Sequence, residues 1–267
     1  MSTASRGILV TGASRGIGAA IARAFAECGD RVAVHHRTAT DLAGAVLDSL
    51  PGGGHLLVGA DIADPAAVAD MVQAAVDGLG RIDVLVNNAA LYADPPVTGS
   101  RRLGHPVTDT SYEDWVAVWR RTVEVNLLGT ANVTWCVARH MLALDPSAGL
   151  PRGRIVNVGS RGAFRGEPEV PAYGASKAGV HAMGQSLAVA LGAHGIAVTS
   201  VAPGFVATDM ASHVLSGPEG DRVRAQSPFD RVARPEEVAA AVVYLASPQA
   251  EWAAGAVLDL NGASYLR

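Results

Sequence analysis

The sequence predicts an α/β fold in which helices cover both faces of a doubly wound parallel sheet. Short aliphatic runs without polar alternation recur along the chain, a pattern typical of strands buried on both faces of a parallel sheet. Longer segments of helical character, many of them rich in alanine, lie between these runs. Such alternation favours right-handed strand–helix–strand units. Because the sequence contains no repeat, low-complexity linker or charge block, we expect one domain over residues 1–267.

Strands and helices are expected in alternation along the whole chain. Seven strands are predicted, at 8–10, 32–34, 55–58, 84–86, 155–158, 198–201 and 257–260. Five helices are predicted, at 17–28, 65–79, 112–144, 172–193 and 235–246. The second of these helices has the clearest start, because Asp64 directly precedes Pro65 and can cap the first turn.

Composition and charge exclude several classes of protein. With 267 residues, 49% of them hydrophobic and 17% charged, the chain can bury a large core and does not resemble a disordered protein. The net charge of −4 predicts no general affinity for nucleic acids or anionic membranes. Two isolated cysteines, Cys28 and Cys136, favour reduced thiols. The sequence shows neither a signal peptide nor a run of about 18 apolar residues, so a cytoplasmic protein is expected.

The segment TGASRGIG at 11–18 joins the first predicted strand to the first predicted helix. Its glycines, Gly12, Gly16 and Gly18, permit a tight turn, close approach of the backbone to a pyrophosphate, and close packing of the helix on the sheet. Unpaired N–H groups at the helix start would then face the anion. The spacing differs from the commoner G-x-G-x-x-G, and the alternative is a glycine-rich turn without a ligand. The strand–turn–helix context favours a phosphate-binding loop.

Further motifs follow this loop in a characteristic order. They are Asp61, NNAA at 87–90, Asn126, Ser160, YGASK at 173–177, Pro203-Gly204 and Thr208. Each motif is weak alone, but together they make the chain resemble the short-chain dehydrogenases/reductases from Ile8 to Gly262. The resemblance implies a Rossmann-like fold, a nicotinamide dinucleotide cofactor and an oxidoreductase acting on ketones or alcohols. Ala90 departs from the family, which more often has glycine there, and its methyl group is expected to narrow the cavity.

The end of the second predicted strand indicates which dinucleotide binds, because an acidic side chain there would accept from a ribose 2′-hydroxyl and repel a 2′-phosphate. Here the strand ends in His36 and Arg37, and Arg15 lies in the glycine loop. Two guanidinium groups can each donate two hydrogen bonds to a phosphate. In similar reductases, arginines at these two places hold the 2′-phosphate of NADP. The sequence therefore predicts NADP(H) as the cofactor. The alternative is that Arg37 merely begins a solvated loop. No metal is predicted, since His35 and His36 point to opposite faces of a strand.

The resemblance assigns further contacts to the cofactor. Asp61 and Ile62 are implied to bracket the adenine ring, and capping by Asp64 would leave the Asp61 carboxylate free for this ligand. Asn87 and Asn88 either tie neighbouring strands or contact the cofactor ribose. The predicted cofactor-binding residues are Gly12, Ser14, Arg15, Gly16, Ile17, Gly18, His36, Arg37, Asp61, Ile62, Asn88, Ala89, Tyr173, Lys177, Pro203, Gly204, Val206 and Thr208.

The predicted catalytic residues are Asn126, Ser160, Tyr173 and Lys177. Tyr173 and Lys177 are four residues apart in a predicted helix, so they lie on one face. A phenol with a pKa of about 10 is a poor acid at neutral pH, and an ammonium within about 4–5 Å could lower that pKa by about 2–3 units. Ser160 follows the fifth predicted strand, and its hydroxyl can polarise a carbonyl. The resemblance implies that Lys177 also holds the nicotinamide ribose and that Asn126 anchors a water in a proton relay. The alternative is that Tyr173 and Lys177 are an ordinary pair on the surface of an amphipathic helix.

Two segments are expected to line the substrate pocket. Residues 205–234 contain Met210, Val214, Leu215 and Phe229, and with the continuation PEEVA and YLASPQA they resemble 3-oxoacyl-thioester (3-oxoacyl-ACP) reductases. Residues 91–111 are expected to form an extended loop, because the chain before Asn126 is longer than is usual in the family.

Part of this excess, WVAVW at 115–119, amounts to about one helical turn, which would preserve the inward face of the helix. The rest, DPPVTGSRRLGHPVT at 94–108, is a solvent loop, a lid or an oligomer contact. Arg101 and Arg102 within it could meet an acidic or phosphorylated acyl carrier if the substrate is carrier-bound.

The predicted activity is NADPH-dependent reduction of a ketone to a secondary alcohol. The substrate is expected to be a small-molecule carbonyl compound: a 3-oxoacyl thioester, free or carrier-bound, or a related small ketone. The alternatives are oxidation of a secondary alcohol or sugar with NADP, another reaction such as epimerisation or dehydration, and a catalytically idle dinucleotide sensor. A sensor would need none of Ser160, Tyr173 and Lys177.

A homotetramer is the expected assembly. The remaining faces of the predicted helices 112–144 and 172–193 carry apolar or small residues, and large exposed apolar patches usually mark contacts. These residues are Val133, Val137, Ala182, Met183 and Ala190. The resemblance implies two different two-fold contacts, and hence D2 symmetry, with Tyr265 and Leu266 buried by a neighbour at the second. The alternative is a dimer or monomer whose own sheet covers these residues.

Overall fold

The computed structural model describes residues 5–92, 104–145, 152–217 and 219–267. Its strands are β1 (Gly7–Val10), β2 (Arg31–His36), β3 (Leu56–Gly59), β4 (Val84–Asn87), β5 (Gly153–Val158), β6 (Ile196–Pro203) and β7 (Val257–Leu260). They form a seven-stranded sheet in the order β3-β2-β1-β4-β5-β6-β7, and all neighbouring strands are parallel. The predicted α/β fold with a seven-stranded parallel sheet is therefore confirmed.

The direction in which strands are added reverses at β1, which lies between β2 and β4. Val10 at the end of β1 is opposite Val34 of β2 and Val86 of β4. In open α/β sheets the segments that leave the strands diverge at such a point, and the resulting crevice is the usual place for a ligand. The segments that follow β1, β2 and β4 therefore meet at one edge of the sheet.

Helices connect the strands throughout. They are α1 (Gly16–Glu27), α2 (Thr40–Asp48), α3 (Pro65–Leu79), α4 (Tyr112–Val123), α5 (Thr130–Ala143), α6 (Pro171–Gly192), α7 (Asp209–Leu215), α8 (Gly220–Arg224) and α9 (Pro235–Leu245). Short 3₁₀ turns lie at Arg161–Ala163 and Pro248–Ala253. The Asp64 side chain accepts the N–H groups of Ala66 and Ala67 at the start of α3, as its position before Pro65 predicts.

The single α-helix predicted over 112–144 is divided into two α-helices by a π-helical segment. A π-helical segment, Glu124–Gly129, lies between α4 and α5. A π segment accommodates an extra residue in one turn and often marks a functional position. Asn126 lies inside this segment.

The sequence pattern does not predict α2, α7 or α8. The only buried residue of α2 is Ala43, and a helix with so small an apolar face lacks the periodic signal on which prediction depends. The helices α7 and α8 contain seven and five residues. Two turns or fewer are too short for a helical period to be recognised.

Two apolar clusters fill the two sides of the sheet. Ile8 and Val10 face the cluster covered by α1 and α9, whereas Leu9 faces the cluster beneath α3, α5 and α6. This alternation follows from the two-residue period of side chains along a strand. Helices cover both faces of the sheet, as predicted. Within the described residues, no helix combines the length and the apolar character needed to cross a membrane.

Val133 and Val137 are fully buried in the cluster beneath α5. The prediction that they lie on a free helix face is wrong, because this side of α5 packs on the chain's own sheet. The large apolar side chains that α5 and α6 do expose are Trp135 and Val189, with exposed fractions of 67% and 86%.

The C-terminal segment differs in part from its prediction. Tyr265 is half-buried by its own chain, and its hydroxyl donates to the Phe164 carbonyl oxygen over 3.4 Å. Leu266 is exposed. Of these two residues, only Leu266 exposes an apolar side chain that a neighbouring subunit could bury at the predicted second contact.

Candidate active site

A cavity of about 330 Å³ lies at the carboxyl ends of the strands. The predicted site residues that it brings together span 196 positions of the sequence, from Gly12 to Thr208. Of the residues predicted to act in catalysis or cofactor binding, all except Asn126 line it. They are Gly12, Ser14, Arg15, Gly16, Ile17, Gly18, His36, Arg37, Asp61, Ile62, Asn88, Ala89, Ser160, Tyr173, Lys177, Pro203, Gly204, Val206 and Thr208.

The glycine loop has the shape that its sequence requires. Gly12 has a φ of 63°, and a Cβ atom there would lie 2.8 Å from the Cα atom of Ala89. Gly16 has a φ of 56°. Both conformations favour glycine, and at Gly12 the neighbouring backbone leaves no room for a side chain. The Asn88 amide donates to the carbonyl oxygens of Thr11 and Gly12 over 2.9 and 3.0 Å, so it fastens the loop to the end of β4.

The start of α1 is suited to an anion. Arg15 occupies the N-cap position without a side-chain hydrogen bond to the helix, and the first turn contains no acidic residue. The first N–H groups of a helix lack partners within it, and they carry the positive end of the helix dipole. This helix start lines the cavity beside Gly12 and Gly16. The residues present therefore fit the pyrophosphate of a dinucleotide.

His35 supports the same loop from below, a role that the sequence analysis missed. Its Nδ1 accepts the Gly12 N–H over 2.9 Å, and its Nε2 lies 3.1 Å from the Ala60 carbonyl oxygen, to which it donates in this tautomer. Burial lowers the pKa of His35 to about 4, so the ring is neutral at pH 7 and keeps its acceptor. The alternation of His35 and His36 along β2 was the available signal, since one of the two had to face the sheet interior.

The groups predicted to select the cofactor meet beside β2 and β3. Arg15, His36 and Arg37 line the cavity. The Nη1 atom of Arg37 lies 3.9 Å from the Asp61 Oδ2 atom. Arg121, from α4, donates to the same Oδ2 over 2.9 Å.

Asp61 is consequently not free for a ligand in the way predicted. Its Oδ1 accepts the Ala63 N–H over 3.0 Å, while its Oδ2 is held by Arg121. Burial raises the pKa of the Asp61 carboxyl, but the hydrogen bond from Ala63 and the charges of Arg121 and Arg37 outweigh it and lower the pKa overall. The sequence did not indicate Arg121, because 60 residues separate it from Asp61.

The reacting groups converge where β5 meets α6. Tyr173 and Ser160 line the same part of the cavity, and the Ser160 side chain is near enough to lower the pKa of Tyr173. The Ser160 Oγ also accepts the Gly162 N–H over 3.0 Å. Lys177 donates from Nζ to the Val158 carbonyl oxygen over 2.8 Å, and Nζ lies 5.8 Å from the centroid of the Tyr173 ring. This arrangement can hold a carbonyl oxygen between two hydroxyl groups.

Burial governs the ionisation of this pair. It raises the pKa of Tyr173 above its ordinary value, against the opposing effect of the Ser160 side chain. It lowers the pKa of Lys177 from 10.5 to about 8. The predicted lowering of the tyrosine pKa by the lysine is therefore opposite to the direction found. Lys177 is also the only lysine of the chain, a sequence signal that the motif comparison did not use.

Asn126 is fully buried and does not line the cavity. Its Oδ1 accepts the Leu91 N–H over 2.7 Å, and its Nδ2 donates to the Leu91 carbonyl oxygen over 2.8 Å and to the Ser176 Oγ over 3.1 Å. It therefore ties the segment after β4 to α6. The part of Asn126 in a proton relay stays a prediction.

The other half of the cavity is mainly apolar. Of the residues predicted to line it, Met210 and Val214 do, whereas Leu215 and Phe229 do not. The Tyr92 ring packs edge-on against Tyr173 with centroids 5.0 Å apart. Further lining residues on this side are Leu91, Arg161, Glu167, Phe205 and Ala211.

The described end of the extended loop packs against α6. His105 is almost fully buried, its N–H donates to the Glu169 carbonyl oxygen over 2.8 Å, and its Nε2 accepts the Ala172 N–H over 3.1 Å. Residues 104–106 are buried, so the reading of a solvent loop is wrong for them. The remainder of the extension, residues 93–103 with Arg101 and Arg102, lies outside the described residues.

The fold and this site define a dinucleotide-binding oxidoreductase with a serine, a tyrosine and a lysine at the end of the sheet. A family model described as "Enoyl-(Acyl carrier protein) reductase" matches residues 12–262. The chain belongs to the short-chain dehydrogenase/reductase family.

Characterised relatives match over nearly their whole length. A 3-oxoacyl-[acyl-carrier-protein] reductase of Synechocystis is 35% identical, over 95% of this chain and 94% of that protein. A D-threitol dehydrogenase of Mycolicibacterium smegmatis is 38% identical, over 95% and 90%. The crystal structure of a short-chain dehydrogenase from Burkholderia cenocepacia in complex with NADP has a TM-score of 0.81 and 31% identity, over 97% of each chain.

Proposed function

We propose that the protein reduces a ketone to a secondary alcohol with NADPH. The observation that carries this proposal is that Ser160, Tyr173 and Lys177 line one cavity, with Lys177 one helical turn beyond Tyr173. A sensor that only binds dinucleotides would not need these three side chains, so the arrangement favours an enzyme over a binding protein.

The cofactor would lie along the glycine loop. The N–H groups at the start of α1 would bind its pyrophosphate, and Arg15 and Arg37 would bind a 2′-phosphate. No side chain of the described residues hydrogen-bonds Arg15, and Arg37 is about half exposed, so both guanidinium groups can turn to a phosphate. When bound, NADPH supplies the hydride that forms the new C–H bond.

The protein's own groups bind, orient and protonate the substrate oxygen. The Ser160 hydroxyl donates to the carbonyl oxygen and polarises it. Tyr173 transfers its proton to that oxygen as the alcohol forms. The positive charge of Lys177 stabilises the resulting phenolate, and the proton returns from solvent by way of Lys177. Asn126 supports this path by positioning Leu91 and Ser176.

Oxidation of a secondary alcohol or sugar with NADP is the second candidate. The same groups run this reaction in reverse, with Tyr173 accepting the proton. The relatives named above include both a 3-oxoacyl reductase and a polyol dehydrogenase, so the direction follows from the substrate rather than from the Ser160–Tyr173–Lys177 arrangement.

A panel of ketones and of secondary alcohols tests the proposal. NADPH oxidation is followed at its absorbance band for 3-oxoacyl thioesters, free and carrier-bound, and for small ketones; NADP reduction is followed for the alcohols. We expect turnover with at least one ketone. A protein that binds NADPH but turns over no compound of either set would overturn the assignment as an enzyme.

We also retain the homotetramer as a proposal. The exposed Trp135 and Val189 on α5 and α6 and the exposed Leu266 support apolar contacts at two places. Light scattering at micromolar concentration tests this, and a stable mass near one chain of 27.3 kDa would contradict it. The cytoplasm remains the predicted location.

A further inference from the structure

The mainly apolar half of the cavity, where we expect the substrate to bind, is called the substrate half. It contains a carboxylate that receives no hydrogen bond from the described residues. Glu167 lines the cavity, and 24% of its side chain is exposed. Its nearest charged partner is Arg161, whose Nη2 lies 3.8 Å from Oε1, beyond hydrogen-bond distance. Among the described residues, no donor makes a hydrogen bond to this carboxylate.

Glu167 lies beside the group that is proposed to bind the carbonyl. A Cβ atom on Gly162 would lie 3.3 Å from the Ser160 Oγ and 3.4 Å from the Glu167 Oε1. Because both oxygens lie within 3.4 Å of one point, they are less than about 7 Å apart, and both side chains line the cavity. One small molecule can reach both through hydrogen bonds of about 2.7 Å each.

Arg161 also lines the cavity, and its Nη1 atom is already engaged by the protein. It is almost fully buried, and its Nη1 donates to Gln226 over 3.0 Å and to Ser264 over 2.6 Å. Its guanidinium also lies over the Phe205 ring, 5.4 Å from the centroid. The Nη2 atom of Arg161 makes no hydrogen bond to Glu167, and a negatively charged substrate group would be repelled by the Glu167 carboxylate.

The charges around Glu167 restrict which ligand group can bind it. Burial raises the pKa of Glu167, while Arg161 and Arg165 oppose this effect. A partly buried carboxylate is stabilised by hydrogen bonds that replace its lost water. An ammonium group on the ligand would be repelled by the two guanidinium groups, whereas a hydroxyl is a neutral donor.

We propose that Glu167 binds a hydroxyl group of the substrate next to the reacting carbonyl. The substrate is then a hydroxy ketone, or in the reverse direction a diol or polyol, rather than an unsubstituted ketone. The carbonyl oxygen lies at Ser160 and Tyr173, and a hydroxyl on a neighbouring carbon donates to Glu167. This inference rests on the proposed ketone reduction and specifies its substrate class.

Paired ketones that differ by one hydroxyl test the inference. The kcat/KM values for 3-hydroxy-2-butanone and 2-butanone are compared, and likewise those for 2-hydroxycyclohexanone and cyclohexanone, with NADPH in excess. The wild type should prefer the hydroxylated member of a pair by about tenfold or more, which is one good hydrogen bond to a charged group.

Two variants and one matched control locate the effect. Glu167→Ala should lose most of this preference, mainly through a higher KM for the hydroxy ketone. Glu167→Gln, which keeps the shape and one acceptor, should retain part of the preference. Glu169→Gln changes an exposed carboxylate of the same loop that does not line the cavity, and it should retain all of it.

The outcomes separate the two proposals. If wild type reduces no ketone and oxidises no alcohol, the proposed function fails. If wild type reduces the paired ketones equally well, or if folded Glu167→Ala retains the full preference, the role of Glu167 is wrong while ketone reduction stands. Melting curves and NADPH binding establish whether the variants fold. If they do not fold, the preference of wild type for the hydroxylated ketone of each pair decides whether the proposed substrate class is correct.

Discussion

The two halves of the cavity are built in different ways. The half that we propose for the cofactor, the cofactor half, is built around the glycine loop, the start of α1 and the ends of β1, β2 and β4. The substrate half consists of side chains from separate parts of the chain, including Tyr92, Glu167, Phe205 and Met210. Backbone geometry requires particular residue types at particular spacings, whereas side chains that meet across space require no spacing at all. Motifs therefore predict the first half and say little of the second.

Tyr173 lies where the two halves meet, and its replacement should have the largest effect. Tyr173→Phe removes only the hydroxyl that is proposed to protonate the substrate oxygen. We expect turnover to fall by about 10²–10⁴-fold, the usual contribution of a positioned general acid. NADPH affinity, measured by fluorescence titration, should stay nearly unchanged, because the ring remains. Retention of more than a tenth of the activity would contradict the role of Tyr173.

The buried charge of Lys177 lowers the free energy of unfolding of the protein. Its pKa is lowered by burial to about 8, below its ordinary 10.5. Below pH 8 the folded protein holds a buried charge, which costs roughly 3 kcal/mol. Between about pH 8 and 10.5 the folded lysine is neutral while the unfolded one is still protonated, so folding releases a proton and stability rises with pH.

Lys177→Met should therefore be more stable than wild type at pH 7, by up to about 3 kcal/mol less the lost hydrogen bond to Val158. The difference should shrink as the pH rises towards 10.5, and activity should be lost. Chemical denaturation at several pH values measures this. Since Lys177 is the only lysine, labelling lysine with ¹⁵N gives one side-chain signal that reports its pKa directly. A variant less stable than wild type at pH 7 would show that burial is not the dominant effect.

Arg37 tests the cofactor half. Arg37→Asp places a carboxylate near the predicted 2′-phosphate and beside Asp61, so it should lower the preference for NADPH over NADH by about tenfold, or roughly 1.4 kcal/mol. The effect is moderate because Arg37 is about half exposed. The ratio of kcat/KM values for the two cofactors is the measurement. Arg37→Gln, which removes the charge without reversing it, should lie between; a wild type that uses both cofactors equally would refute the assignment.

His105 tests the extension beside the substrate half, through stability rather than activity. His105→Leu leaves the buried Ala172 N–H at the start of α6 without its acceptor, which should lower the free energy of unfolding by about 1–2 kcal/mol. Urea denaturation at pH 7 measures this. His194→Leu, at an exposed position after α6, is the matched control and should change little. Equal stability of the two variants would mean that residues 104–106 do not hold the helix start.

The errors of the sequence analysis have a common physical cause. Val133 and Val137 were assigned to a free surface, but apolar side chains on a helix do not reveal whether the sheet or another chain covers them. Asp61 was expected to be free because capping by Asp64 was satisfied, yet Arg121 reaches it from α4. In each case the pattern identified the type of residue correctly, and only packing decided its partner.

The sequence by itself determined the parallel sheet, most of its strands and long helices, the glycine loop and the residues that line the cofactor half. These features follow from burial on both faces, from helical periodicity and from backbone conformations that few residue types adopt. Tertiary structure alone decided that His35 supports Gly12, that Asn126 ties Leu91 to Ser176, and that the carboxylate of Glu167 stands beside Ser160. Such contacts join segments that are remote along the chain, and a hydrogen bond across that distance depends on a three-dimensional arrangement that no local pattern encodes.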